Sequence, residues 1–154
     1  MKRSKYVKNF SMIDCSPKFI NKLIEKAVTK CSKIESLSIS ITMSQRNIIL
    51  PEFPSTIKVI RSFEYLQTLE INNVYIGEDS QSEIAKFKTL KSLKINGKSG
   101  RIDVVRTHFS MPDFFKKLAK NSKQLETIEF KEDAVANFKV SSKSLLNFVN
   151  IGTF

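Results

Sequence analysis

The stretch KFINKLIEKAVTKCSKIESLSIS, residues 18–40, contains the pattern that decides the fold of this chain. Its first half places apolar residues every three or four positions, which is typical of an amphipathic helix. Its second half runs from Ile34 through Leu37 to Ile39 and ends in alternating apolar and polar residues, which is typical of a strand with one buried face. Residues 18–40 therefore predict a helix followed by a short strand.

The start of this helix and its apolar side can also be read from the sequence. Ser16 is a suitable N-cap, and Pro17 suits the first helical position because its missing amide hydrogen is not needed there. One apolar stripe then follows the helix, consisting of Phe19, Ile20, Leu23, Ile24, Ala27, Val28 and Cys31. We expect this stripe to be buried when helical units stack.

The pattern apolar-x-x-apolar-x-apolar occurs five times, at unequal intervals. It begins at Ile34, Leu66, Leu90, Leu125 and Leu146, and an apolar residue stands six positions before each start. A unit of one helix and one strand cannot bury its own apolar face, so successive units must cover one another. The sequence predicts an α/β solenoid of about five strand-helix units in one domain over residues 16–154, preceded by a basic N-terminal extension over residues 1–15. We expect a parallel sheet on the concave side and helices on the convex side, with a short helix also before the fifth unit.

This pattern resembles the leucine-rich repeat family. The helix, Cys31 and the following Leu37 and Ile39 are similar to the ribonuclease-inhibitor-like, cysteine-containing subtype that is often found behind F-box domains, although no F-box is visible in residues 1–15. The resemblance implies a non-enzymatic adaptor or scaffold that binds a partner protein through the concave sheet face and the long connections over residues 42–53 and 97–110.

The concave face is predicted from the positions that flank the buried strand residues, because successive strand side chains point to opposite faces. These candidate partner-binding residues are Ser36, Ser38, Ser40, Thr68, Glu70, Asn72, Ser92, Lys94, Asn96, Thr127, Glu129 and Lys131. The set is polar and mixed in sign, so it does not form a basic channel. For any single one of these residues, the alternative is that its side chain faces solvent and contacts no partner.

The charge of the chain suggests a second class of function. The net charge is +11, from 26 Lys and Arg against 15 Asp and Glu, and 21 of the cations are Lys. Such a surplus favours polyanionic partners, so the alternative function is a module that binds RNA or a ribonucleoprotein. The candidate residues are Lys98, Arg101, Arg106, Lys116, Lys117, Lys120 and Lys123. A solvated helix face, or an AT-rich coding sequence, is the simpler explanation of the same lysines.

Signatures of enzymes, metal sites and cofactors are not found in the sequence. Cys15 and Cys31 form no CxxC pair, and His108 is the only histidine, so the sequence predicts neither a metal site nor a bound cofactor. No nucleophile can be paired with His108 by motif, and the carboxylates show no acid-base arrangement. We therefore expect a protein that is not an enzyme.

The two ends of the sequence lead to two further expectations. The basic residues 1–10 are followed by no apolar segment of a secretory signal, and no run of apolar residues reaches membrane-spanning length. This favours an intracellular protein, cytoplasmic or nuclear, with a mitochondrial presequence as the alternative. The fifth unit reaches Phe154 without the polar cap that solenoids need, so we expect another chain to cover that end unless the sequence is a fragment.

Overall fold

The computed structural model of this chain describes residues 6–15, 17–41, 54–74, 78–97, 111–132 and 138–141. Strands and helices alternate along these residues as far as the fifth strand. The strands are β1 (Asn9–Cys15), β2 (Ser36–Ile41), β3 (Thr68–Asn72), β4 (Ser92–Gly97), β5 (Thr127–Glu132) and β6 (Phe138–Ser141). The helices are α1 (Pro17–Lys30), α2 (Pro54–Ile60), α3 (Glu78–Ile84) and α4 (Met111–Asn121).

All of these strands belong to one sheet whose spatial order is the order of the sequence. Strands β1 to β5 are parallel, and β6 is antiparallel to β5. Equivalent positions of the repeat lie side by side, since Leu37 pairs with Leu69, Leu69 with Leu93, and Leu93 with Ile128. The predicted α/β class and four of the five predicted strands are thereby confirmed. The fifth predicted strand, at residues 146–151, lies outside the described residues.

The core lies between the helices and one face of the sheet. Strand β2 alternates between half-buried polar residues and the fully buried Leu37, Ile39 and Ile41. These side chains belong to a single hydrophobic cluster that also includes Ile57 of α2 and Leu118 of α4. Burial of each Leu or Ile side chain contributes about 1.5–3 kcal/mol, so this one-sided alternation decides which face of the sheet the helices cover.

The chain enters strands β2 to β5 in the same way each time. Two successive backbone amides donate hydrogen bonds of 2.7–3.0 Å to one carbonyl of the preceding unit. The donor pairs and their acceptors are Glu35 and Ser36 to Lys8, Gln67 and Thr68 to Glu35, Lys91 and Ser92 to Gln67, and Glu126 and Thr127 to Lys91. Glu35, Gln67 and Lys91 each donate to the preceding unit and accept from the following one, so this backbone pattern sets the same register at every junction.

Helix α1 departs from the expected burial of its apolar stripe. Ile20, Ile24 and Ala27 are buried as expected, but Phe19 is 61% exposed and Leu23 is 41% exposed. The expectation of a fully buried stripe is wrong for these two residues. Helices pack against their neighbours in chain order, α1 on α2, α2 on α3 and α3 on α4, so α1 has a described helix on one side only.

Residues 9–15, which the sequence analysis placed in the N-terminal extension, form strand β1. This strand pairs in parallel with β2, and its register shifts between Met12 and Cys15, where β1 has one extra residue. The repeat pattern did not reveal this strand because its columns are absent here. The alternation of Asn9 and Ser11 with Phe10 and Met12 is the signal that could have found it.

The helix expected before the fifth unit is not formed, because residues 138–141 are strand β6. Phe138 and Val140 alternate with Lys139 and Ser141, which favours a strand over a helix. Only residues 133–137 separate β5 from β6, and a parallel connection needs a dozen residues or more, so the pairing is antiparallel.

Two other expectations concern the long connections and the membrane. Residues 42–53 and 98–110, which contain most of the long connections, lie outside the described residues, as does the C-terminal end over residues 142–154. None of the helices within the described ranges has the length and apolar character needed to cross a membrane.

Candidate functional site

The face of the sheet opposite the helices carries the residues predicted to bind a partner. We call it the polar face, and the parallel register arranges its residues in three rows across β2 to β5. The first row is Ser36, Thr68, Ser92 and Thr127; the second is Ser38, Glu70, Lys94 and Glu129; the third is Ser40, Asn72, Asn96 and Lys131. The eleven residues of these rows that are numbered 36 to 129 have half-buried side chains. The strands therefore hold them in place while solvent still reaches them.

Glu70 is the centre of the second row. Its Oε1 atom is 3.1 Å from Nζ of Lys94 and accepts a hydrogen bond of 3.2 Å from Nδ2 of Asn72. Its Oε2 atom accepts a hydrogen bond of 3.5 Å from the hydroxyl of Ser38. One carboxylate therefore joins side chains from three adjacent strands.

These contacts fix the charge state of Glu70. Partial burial acts to raise the pKa of this carboxyl, but the hydrogen bonds from Lys94 and Asn72 and the charge of Lys94 outweigh it, and the pKa lies below its ordinary value. At neutral pH Glu70 is thus a carboxylate, which suits a fixed acceptor of hydrogen bonds and does not suit a proton donor.

The third row contains a pair of amides near the carboxyl ends of β3 and β4. Nδ2 of Asn96 donates to Oδ1 of Asn72, whose own Nδ2 donates to Glu70. Oδ1 of Asn96 is buried and has no hydrogen-bond partner among the described residues. Next to this pair, Asn73 has φ of 61°, and its backbone amide donates to the carbonyl of Asn96 at 2.8 Å. Asn tolerates this left-handed backbone better than most residues, so Asn73 can end strand β3 here.

The first row is made of hydroxyl groups. The hydroxyl of Thr127 donates a hydrogen bond of 2.9 Å to the hydroxyl of Ser92 across β5 and β4. Hydroxyl groups both donate and accept, so this row can adapt to either kind of polar group on a partner.

Two residues of this face were missed by the sequence analysis. Asn9 and Ser11 of β1 pair with Ser36 and Ser38 and extend the first and second rows by one strand. Both are exposed. The alternation of polar and apolar residues over 9–12 is the signal that could have revealed them.

Four of the seven residues predicted to bind a polyanion lie on helix α4 or in the turn after it. Lys116, Lys117 and Lys120 on α4 and Lys123 in the following turn are all exposed, while Phe114, Phe115 and Leu118 face the core. Lys98, Arg101 and Arg106 lie outside the described residues. The structure therefore brings four of these seven residues together, away from the polar face.

No three His, Cys, Asp or Glu residues within the described ranges are grouped so that they could hold a metal ion. Cys15 and Cys31 are free thiols and half-buried. The arrangement that stands out in the described part of the chain is thus a row of hydrogen-bonding groups held by backbone register.

Comparison with protein-family models, with curated proteins and with solved structures found no significant match to this chain.

Proposed function

We propose that this chain is a solenoid of the leucine-rich-repeat type and works as a non-enzymatic interaction module that binds a partner protein through the polar face. Consecutive strands in chain order, with a helix before each of β2 to β5, support the solenoid. The recurring pair of amides that donate to the preceding unit supports it as well. The polar face is then the concave side, and the connections over residues 42–53 and 97–110 are proposed as further contacts with the partner.

The observation that carries the proposal is the fixed geometry of Glu70. Lys94, Asn72 and Ser38 hold its carboxylate in one position on the sheet surface, at 31% side-chain exposure. A partner that meets this surface does not need to order it, so less of the binding free energy is lost to conformational entropy. Binding through such a surface involves no chemical reaction, which fits an adaptor or scaffold.

The charges of the second row indicate the kind of partner. Glu70, Lys94 and Glu129 alternate in sign across three strands. Such alternation fits a protein surface of matching alternating charge and discriminates against a polyanion, because each phosphate would meet a carboxylate nearby. The partner of the polar face is therefore a folded protein or an extended peptide with both signs of charge.

Charge reversal on the polar face tests this function. Tagged wild type, the double variant Glu70→Lys with Lys94→Glu, and a control would be used to capture partners from the native source, with identification by mass spectrometry. The control, Glu64→Lys with Lys88→Glu, makes the same exchange at two exposed residues in the segments that follow α2 and α3. We expect the polar-face variant alone to lose the specific partner. An unchanged partner list for all three proteins would reject the polar face as the binding site.

The second candidate function is binding of RNA or a ribonucleoprotein. Exposure of Lys116, Lys117, Lys120 and Lys123 on one helix and its following turn favours it. Neutralisation of phosphates by such lysines releases counterions, so retention on RNA would fall steeply with salt concentration.

A further inference from the structure

A groove lies at the outer end of the fold, beside helix α1. It is lined by Cys15, Phe19, Lys22, Leu23 and Lys26 and has a volume of about 430 Å³. Phe19 and Leu23 stand at i and i+4 on the helix, and Lys22 and Lys26 are a second i, i+4 pair next to them. The groove is thus an apolar strip with two cations along one side.

Phe19 and Leu23 are two of the five large hydrophobic side chains that are exposed among the described residues, and both line the same groove. Phe19 is 61% exposed and Leu23 is 41% exposed, whereas Ile20 and Ile24 of the same helix are at most 2% exposed. The apolar stripe of α1 is therefore wider than the sheet below it can cover. Large exposed apolar residues that lie together mark interaction sites more often than the same residues scattered singly.

The repeat shows what kind of surface this is. Counted back from the first apolar residue before the strand, Leu23 in α1 is equivalent to Phe114 in α4, which is 4% exposed. Helix α4 packs against the preceding helix α3, whereas α1 has a described neighbour only in the following helix α2. The equivalent position is thus buried in α4, which has a described preceding helix beside it, and exposed in α1, which has no described helix before it.

The charge of the groove indicates the sign of its occupant. Lys22 and Lys26 line the groove, and the whole chain carries +11. A second copy of the chain that docked through the same groove would bring its own Lys22 and Lys26 close to these lysines. Contact between like charges is unfavourable. An acidic partner would gain the attraction that a second copy lacks.

We propose that the α1 groove binds an amphipathic helix of a partner protein, with Leu or Phe at i and i+4 and Glu or Asp along one flank. The apolar pair of the partner packs on Phe19 and Leu23, and its carboxylates meet Lys22 and Lys26. This is the helix-in-groove mode of recognition. The site is separate from the polar face and does not depend on the function proposed for it.

Synthetic peptides test the proposal with the full chain. The probe is a fluorescein-labelled peptide of about 18 residues with Leu at helical spacing and Glu elsewhere, long enough to form a helix when bound. Two matched peptides are a scrambled sequence of the same composition and a version with Lys in place of Glu. Titrations followed by fluorescence anisotropy at about 150 mM salt keep non-specific attraction between exposed charges small.

We expect the acidic helical peptide to bind and both matched peptides to bind at least about tenfold more weakly. The double variant Phe19→Ser with Leu23→Ser should weaken binding at least about tenfold, because it removes the apolar anchors. Lys22→Glu with Lys26→Glu should weaken it as well. Lys116→Glu with Lys117→Glu makes the same change in net charge on α4 and should leave the affinity unchanged.

Three results would overturn the proposal. The first is a failure of the apolar contact: either the acidic peptide does not bind, or the Phe19→Ser and Leu23→Ser variant binds it as tightly as wild type. The second is an equal effect of both charge-reversal pairs, which would mean attraction to net charge only. The third is a dimer in sedimentation velocity that the Phe19→Ser and Leu23→Ser variant converts to a monomer, which would assign the groove to a second copy. Unchanged peptide affinity of the Glu70→Lys and Lys94→Glu variant would separate this site from the polar face.

Discussion

Glu70 on β3 and Lys94 on β4 are direct register partners, and Oε1 of the first lies 3.1 Å from Nζ of the second. The two side chains are 31% and 35% exposed, so water screens the pair only in part. Both residues lie on the polar face, where their side chains are half-buried. The pair therefore sits where a change in charge can alter recognition with little effect on the fold.

A double-mutant cycle at this pair should separate stability from binding. Glu70→Lys or Lys94→Glu alone places like charges on adjacent strands and should lower the free energy of unfolding by about 1 kcal/mol. The double exchange restores an ion pair of reversed orientation and should recover most of that loss in urea denaturation. We expect the double exchange to remain defective in partner binding even so. Recovery of both stability and binding would mean that the partner does not sense these charges.

Two leucine substitutions should distinguish the core from the groove. Leu93 is fully buried and Leu23 is 41% exposed, so the same change removes very different amounts of buried surface. Leu93→Ala should lower the free energy of unfolding by about 2–5 kcal/mol, as cavity-forming changes do. Leu23→Ala should cost less than about 1 kcal/mol. Chemical denaturation measures both, and equal losses would contradict the one-sided burial of α1.

Glu83 of α3 should make stability depend on pH in the acid range. Its buried carboxylate lies 2.6 Å from Nζ of Lys86 and 2.7 Å from Nη1 of Arg61. The hydrogen bond from Lys86 lowers the pKa of Glu83 more than burial raises it, and the charges of Lys86 and Arg61 lower it further. A carboxyl whose pKa is lower when folded adds stability above its unfolded pKa of about 4.3, and this stability is lost as pH falls through the folded value.

Replacement of this residue tests that assignment. Both cations remain able to reach solvent, at 34% and 50% side-chain exposure, so Glu83→Gln should cost about 1–2 kcal/mol at neutral pH rather than the larger cost of a stranded buried charge. The difference from wild type should shrink as pH falls below the unfolded pKa. Glu64→Gln is the control at an exposed position. A pH-independent difference for Glu83→Gln would show that packing, rather than charge, stabilises this position.

The lysines of α4 can be tested for binding to RNA. Lys116→Glu, Lys117→Glu and Lys120→Glu together should abolish salt-dependent retention on RNA or heparin if that helix face is used. The matched control reverses three other exposed lysines, Lys33, Lys58 and Lys88. Retention equal to that of wild type at physiological salt would exclude the α4 face, and equal loss in both triple variants would mean attraction to net charge alone.

Local pattern was enough to predict strands β2 to β5 and their parallel pairing. The positions of Leu37, Leu69, Leu93 and Ile128 are buried because an alternating strand has only one apolar face to cover. The same alternation predicts that Glu70 and Lys94 lie on the opposite face, where the structure shows them as an ion pair. The helix predicted before the fifth unit is wrong at residues 138–141, which form strand β6. Val140 stands at the repeat position that is helical in other units, but Phe138 and Val140 alternate with polar residues, as in a strand.

What the sequence determined by itself was therefore the repeating unit and the face to which each strand residue points, because both depend on residues close together along the chain. Tertiary structure alone decided that Glu70 is held by three side chains, since Ser38 and Lys94 are brought to it by pairing between strands. It also decided that Leu23 is exposed while its equivalent Phe114 is buried, because the same repeat position has different described neighbours in α1 and in α4.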